Sequence, residues 1–268
     1  MKKKRMPHWL VLLLLVFLYM PILVLITYSF NEGRTGAKWT GFTFKWYIEL
    51  FRDRNILRAM GYTVLIAFIA STLSTLVGTV TAWGIRYMKR NTSGLLLTIN
   101  DLPLLNPDLV TAISLMSLYI FLKMRFGFMT LLLAHIMFSI PYVIITVLPV
   151  LRRISKHQME AAMDLGARPV EALLKVILPQ LKQSIISGWL IAFTMSIDDF
   201  VISFFTTGSG VSNISIAVFS MARRGINPKI NALSSIMFVA VIFLLLIINK
   251  NRKSRKEDLA IEENILLH

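Results

Sequence analysis

From Trp9 to Ser29 the chain reads WLVLLLLVFLYMPILVLITYS, an apolar run without a single charge. The hydrocarbon core of a bilayer is about 30 Å thick and takes a helix of about 20 such residues. The run is too long for a signal-peptide core, and NEGR follows it where a small-residue cleavage site would stand, so it reads as a retained span. Comparable runs recur at about 62–83, within 94–122, and at about 128–150, 184–206 and 232–248. Of the 268 residues 56% are hydrophobic, against about 45–50% in soluble domains. The expectation is an all-α integral membrane protein with six transmembrane helices.

Charge then sets orientation. Lys and Arg gather beside spans on the inner side of a membrane. With the N-terminus inside, 18 of the 29 Lys and Arg fall in inner segments and 11 in outer loops. The opening MKKKR decides for cytoplasmic termini. A net charge of +15 suggests nucleic acid in a soluble protein, but here the spans account for it, and no nucleic-acid partner is expected. Membrane lipid is. Cysteine is absent, which excludes disulfides and thiolate metal sites. The expected division is a six-helix domain over 1–250, holding a long inner loop at 151–183, and a charged cytoplasmic tail over 251–268.

That loop, LRRISKHQMEAAMDLGARPVEALLKVILPQLKQ, carries the most informative pattern. Met159, Ala162, Met163 and Leu165 form an apolar patch at helical spacing, and Gly166 suits the left-handed residue that ends a helix. Pro169 suits the first turn of a second helix, along which Val170, Leu173, Leu174 and Ile177 recur, and Pro179 is expected to break it before the fifth span. Periodicity alone leaves open a plain amphipathic connector. EAAMDLG, nine residues and then VILP, however, resembles the EAA signature of ABC importer membrane subunits. Glu160, Ala161, Ala162, Gly166, Leu178 and Pro179 match in place, and Val176 stands where Ile is usual. GFTFKWYIELF, NPDLVTAISL and SIDDFVISFF extend the resemblance from the first span to the sixth, towards spermidine/putrescine permeases and the second of their two permease subunits.

The resemblance implies a type I ABC importer permease fold in the inner membrane of a bacterial cell. The loop would be a helix-turn-helix that docks on a separate ATPase. The implied partners are a homologous second permease, two ATPase subunits and an extracytoplasmic polyamine-binding protein. Such a chain is not an enzyme and has no catalytic residue or metal. It binds no cofactor, since ATP and Mg sit on the partner ATPase, and no G-x-x-x-x-G-K-[ST] phosphate loop occurs in this sequence. Two rivals differ: a permease for another small solute, and a proton-coupled secondary transporter using the aspartate pair. A membrane-embedded hydrolase ranks last, because His8, His135, His157 and His268 are scattered.

Of the 14 Asp and Glu only Asp101, Asp108, Asp198 and Asp199 fall in apolar segments, and Asp101 lies near the inner boundary. A carboxylate at the centre of a spanning helix costs about 2.5–3.5 kcal/mol on insertion scales. For a cationic cargo, Asp108, Asp198 and Asp199 are the candidate pathway residues. Pro103 and Pro107 should interrupt the third span, with Pro107 opening a half-helix whose first turn holds Asp108, either as a counter-ion or as a helix-opening residue. Ser196, Asp199 and Ser203 form one polar stripe if the fifth span is a regular helix, which favours Asp199 for a cavity. Thr194 and Asp198 belong to a second face, at the cavity edge or against a partner. Against both stands a buried pair satisfied by hydroxyls or by another chain's Lys or Arg. Trp46 and Tyr47 begin an external interfacial helix, as plain aromatic anchors or with Trp46 offering a π face to an alkyl-ammonium. His135 reads as a hydrogen-bonded core residue.

Overall fold

The apolar runs become helices in a computed structural model, which describes residues 8–34, 38–155, 157–225, 228–239 and 242. In chain order these are α1 (His8–Ser29), α2 (Lys45–Arg52), α3 (Arg54–Tyr87), α4 (Arg90–Leu105), α5 (Asp108–Phe121), α6 (Phe128–Arg153) and α7 (His157–Asp164). They continue as α8 (Pro169–Asp198), α9 (Val201–Thr206) and α10 (Ile214–Arg223), then α11 over 228–239. Among the described residues α1, α3, α6 and α8 are long and apolar enough to cross a membrane, and α4 with α5 makes a fifth if the pair, bent by 107°, is one span. Of the expected sixth span, 232–248, the first half lies in α11. The rest, except residue 242, and the tail 251–268 fall outside the described residues. Among the described residues the only β-pairing is an isolated bridge between Asn31 and Phe42.

The chain divides into two units. One comprises 1–54 with 218–268. In it, Phe30, Phe42, Phe44 and Tyr47 pack into an aromatic cluster at the start of α2, Phe30 and Phe42 stacked and the other pairs edge-on or tilted. Lys229 of α11 reaches Glu49 at 3.5 Å and Asp53 at 3.8 Å.

The other unit, 55–217, is built around α6. One core cluster joins Ala82 and Ile85 of α3 to Val143, Val147 and Leu151 of α6, and to Ile177, Leu181 and Ala192 of α8. A second joins Ala112, Leu115 and Tyr119 of α5 to Ala134 and Phe138 of α6 and Ile202 of α9. Between lipid-embedded helices apolar burial gives no drive, so close backbone approach over small residues matters more. Val143 illustrates it. A Cβ at Gly78 of α3 would lie 2.8 Å from Val143 Cβ, and one at Gly188 of α8 3.4 Å from Val143 Cγ1. At the far end of α3, Arg86 donates from Nη1 to the Leu151 carbonyl (2.6 Å) and from Nη2 to that of Ile154 (2.5 Å). The guanidinium thereby closes the C-terminal end of α6, where unpaired carbonyls favour a cation.

Two sequence expectations need correction. Pro179 does not break its helix. The turn before it, Leu173–Ile177, is π-helical, and Leu178 N–H bonds Leu173 O five residues back, so the widened ladder accommodates the proline ring. Pro103 likewise sits inside the last turn of α4, and only Asn106–Pro107 interrupts the third segment.

Gly78→Leu should overpack the α3–α6 contact and cost about 1–3 kcal/mol. Gly61→Ala, on the same helix with no atom within 4 Å of its added Cβ, should cost nothing. Thermal unfolding of the purified protein in detergent separates the two.

Candidate functional site

Two helix breaks in the 55–217 unit place carboxylates around one cavity. At the first, Asn106 leaves α4 with ψ 143°, the extended conformation that a following proline imposes. α5 opens after Pro107 with Asp108 in its first turn, where the N-terminal partial charge favours a carboxylate.

The second break corrects the expectation of a regular helix through 184–206. α8 ends at Asp198, and Asp199 turns extended, at φ −64° and ψ 127°. The cause is the Asp199 side chain, which accepts the backbone N–H groups of Ile202 (3.2 Å) and Ser203 (2.7 Å) as an N-cap of α9 would. A short acid bonding forward to the backbone competes with the helical ladder. Asp199 also accepts the Ser203 hydroxyl at 2.7 Å, and its side chain is 9% exposed.

The expected stripe of Ser196, Asp199 and Ser203 does assemble, but towards α6. His135 is buried there, with Nδ1 2.6 Å from Ser196 Oγ and Nε2 3.0 Å from Ser203 Oγ. Asn213 donates from Nδ2 to Ser203 Oγ (2.7 Å) and to the Asp199 carbonyl (3.2 Å).

The cavity itself, about 290 Å³, is lined by Pro103, Asp108 and Thr111, by Phe138 and Tyr142 of α6, and by Thr194, Met195 and Asp198 to Ile202. Asp108 and Asp198 are both exposed, and neither carboxylate has a hydrogen-bond or ion-pair partner among the described residues. Asp199 also borders the cavity, but its oxygens are engaged by Ile202 and Ser203. Geometry therefore makes Asp198 the freer of the pair. Sequence reasoning passed over Phe138, Tyr142 and Thr111. The available signal was spacing: Phe138 and Tyr142 stand four apart on α6, and Thr111 three after Asp108, so each pair shares a helix face.

Trp46 belongs to the other unit. It is 3% exposed and donates Nε1–H to the Asn31 carbonyl at 2.7 Å, with Lys45 Nζ 5.4 Å from its ring centre. Tyr47 Oη lies 2.7 Å from Ser29 Oγ. Trp46 also borders a second cavity, with Arg34, Glu49, Arg224 and Lys229.

The long loop folds as helix, turn and helix. Gly166, at φ +91°, ends α7 in a Schellman arrangement: its N–H bonds Met163 O (2.9 Å) and Ala167 N–H bonds Ala162 O (3.1 Å). Glu160, in the first turn of α7, lies 2.8 Å from His157 Nδ1, and Ala161 O accepts Leu165 N–H at 3.2 Å. Leu178 and Pro179 follow the π turn inside α8. Around the turn Leu165 is 90% exposed, with Val170 and Leu174 also outward. No residue of α7 is buried.

Residues 74–250 match the family described as binding-protein-dependent transport system inner membrane component. The chain is 40% identical over 235 residues to the spermidine/putrescine transport system permease protein PotC of Haemophilus influenzae, covering 86% of this chain and 90% of that one. It is 39% identical over 247 residues to the putrescine transport system permease protein PotI of Escherichia coli K12, covering 88% of each. Among solved structures, a bacterial ABC transporter involved in import of the acidic polysaccharide alginate superposes with a TM-score of 0.69 at 17% identity, over 92% of both chains. A MetNI methionine ABC transporter in inward-facing conformations gives 0.57 at 14% identity, over 73% of this chain and 93% of that one. At those identities the structures speak for the fold.

Asp199→Ala should lower stability by about 2 kcal/mol, by removing a cap and leaving buried donors unpaired. Asp198→Asn, at a carboxylate that bonds no described residue, should leave the melting temperature of the purified protein unchanged.

Proposed function

We infer, from the premise that this chain belongs to the family of binding-protein-dependent transport system inner membrane components, that it forms half of a transmembrane pathway for polyamines. The observation that carries the substrate is the cavity bordered by Asp108 and Asp198, two carboxylates unpartnered among the described residues. Around them stand the aromatic faces of Phe138, Tyr142 and Phe200 and the hydroxyls of Thr111 and Thr194. A polyamine is a string of ammonium groups on an alkyl chain. Carboxylates pair with its charges, aromatic faces attract them further, and apolar walls cover the methylenes. The relatives named for spermidine and putrescine support the same reading. In a chain of net charge +15, attraction for a cation has to be local.

The protein acts by moving its cargo and makes or breaks no covalent bond. A homologous second permease completes the pathway, an extracytoplasmic receptor delivers polyamine, and two separate ATPase subunits bind ATP and Mg on the cytoplasmic side, where both termini also lie. The α7–Gly166–α8 turn docks on an ATPase through Leu165, Val170 and Leu174, whose exposure otherwise puts apolar surface in water. ATP binding draws the two loops together and opens the cavity outward; hydrolysis returns it inward.

In proteoliposomes holding the full assembly, receptor loaded with spermidine or putrescine should stimulate ATP hydrolysis and drive uptake. Asp108→Asn and Asp198→Asn should each cut uptake about tenfold, the loss of one charge-assisted contact, with assembly intact. Stimulation by receptor carrying sulfate or sugar, but not polyamine, would overturn the substrate. Uptake that survives ATP depletion and collapses with the proton gradient would overturn the energy source. Leu165→Asp should reduce co-purification of the ATPase without altering the fold of this chain.

A further inference from the structure

With Asp199 ionised, the hydrogen bonds of the buried cluster at the second helix break assign its protons. A hydroxyl has one proton to donate. Ser203 gives its proton to Asp199 and receives a bond from Asn213, so towards His135 Nε2 the Ser203 oxygen accepts. Nε2 therefore carries the imidazole proton. Nδ1 is then the acceptor, and Ser196 donates to it. Ser203 thus takes two bonds and gives one, both His135 nitrogens are used, and Asp199 accepts three donors. Asn213 Oδ1 in turn receives Ile216 N–H at 3.0 Å.

This closed arrangement spans the break. Ser196 lies before it on α8 and Ser203 after it on α9, while His135 on α6 holds one with each nitrogen. Asp198 sits at the break itself, on the cavity side, with no described residue holding its own carboxylate.

We propose that His135 is a positioning residue. By bridging Ser196 and Ser203 across the interrupted helix, it holds the backbone of 198–200 so that Asp198 faces the cavity. Its neighbour in the cluster, Asp199, serves the same geometry and presents no carboxylate to the cargo. The assignment rests on the reading of Asp198 as a cargo contact, but the geometric part can be tested without any cargo.

The chain has no cysteine, so single thiols introduced into it report accessibility directly. Asp198→Cys and Thr111→Cys are placed separately in the assembled transporter and labelled with a cationic methanethiosulfonate, read on this chain alone. Both positions border the cavity, but Thr111 is on α5, outside the bonded cluster. Adding His135→Leu should change the labelling rate at position 198 by about tenfold, the scale of one lost buried hydrogen bond, and leave position 111 unchanged. His135→Gln, which restores a donor and an acceptor, should recover part of the rate.

Equal rates at 198 with and without His135→Leu would overturn the proposal, as would equal changes at both positions, which mark general loosening. Should His135→Leu fail to assemble, Ser196→Ala and Ser203→Ala each remove one arm of the bridge and are read in the same way. Protection of the Asp198→Cys variant from labelling by spermidine reports separately on the cargo, so either assignment can fail while the other stands.

Discussion

A polar group closed off from water inside a membrane protein gains most from a partner, because no water stands in for one. The bond from the Ser203 hydroxyl to Asp199, at 2.7 Å, is where that requirement shapes the molecule most. It belongs to a carboxylate that has replaced a turn of helical ladder by accepting Ile202 and Ser203 N–H. Once Asp199 is held this way, the helix must stop at Asp198 and restart at Val201. His135, Ser196 and Asn213 then have fixed places around the break. The cavity wall follows from the interruption.

The two aspartates illustrate how neighbours in sequence come to different work. An internally bonded carboxylate has little left for a passing ligand. One aimed at open space keeps its full capacity to pair. Asp199 is of the first kind and Asp198 of the second. Asp108 resembles Asp198, because Pro107 opens a helix beneath it and no described side chain pairs with its carboxylate. Two carboxyl groups without a described partner facing one space, with aromatic rings beside them, suit a ligand carrying several separated positive charges on an apolar backbone.

Much of this was legible in the sequence where a residue acts locally. The charge-free run from Trp9 gave α1, Pro107 gave the third-segment break with Asp108 in the turn after it, and Gly166 gave the left-handed turn. Where distant residues decide, the pattern misled or fell silent. Helical spacing grouped Ser196, Asp199 and Ser203 correctly but could not say that they face His135, sixty-odd positions away on α6. Nor does spacing reveal that a side chain will take over the backbone bonds at Asp199. Pro179 looked like a terminator because a proline blocks an ordinary turn. A π turn is not an ordinary one, and nothing local announces it. Trp46 had the composition of a boundary aromatic, and only the fold discloses that its N–H is committed to Asn31.

The continuity of α8 has a mechanical consequence. Thirty residues from Pro169 to Asp198 make a rod of about 45 Å, which starts at the exposed turn beside Leu165 and ends at the cavity. A flexible joint at Pro179 would have insulated one end from the other. Without it, a push or twist applied at the turn would be carried towards Asp198 along one continuous helix, whose most compliant point is the widened turn at Leu173–Ile177.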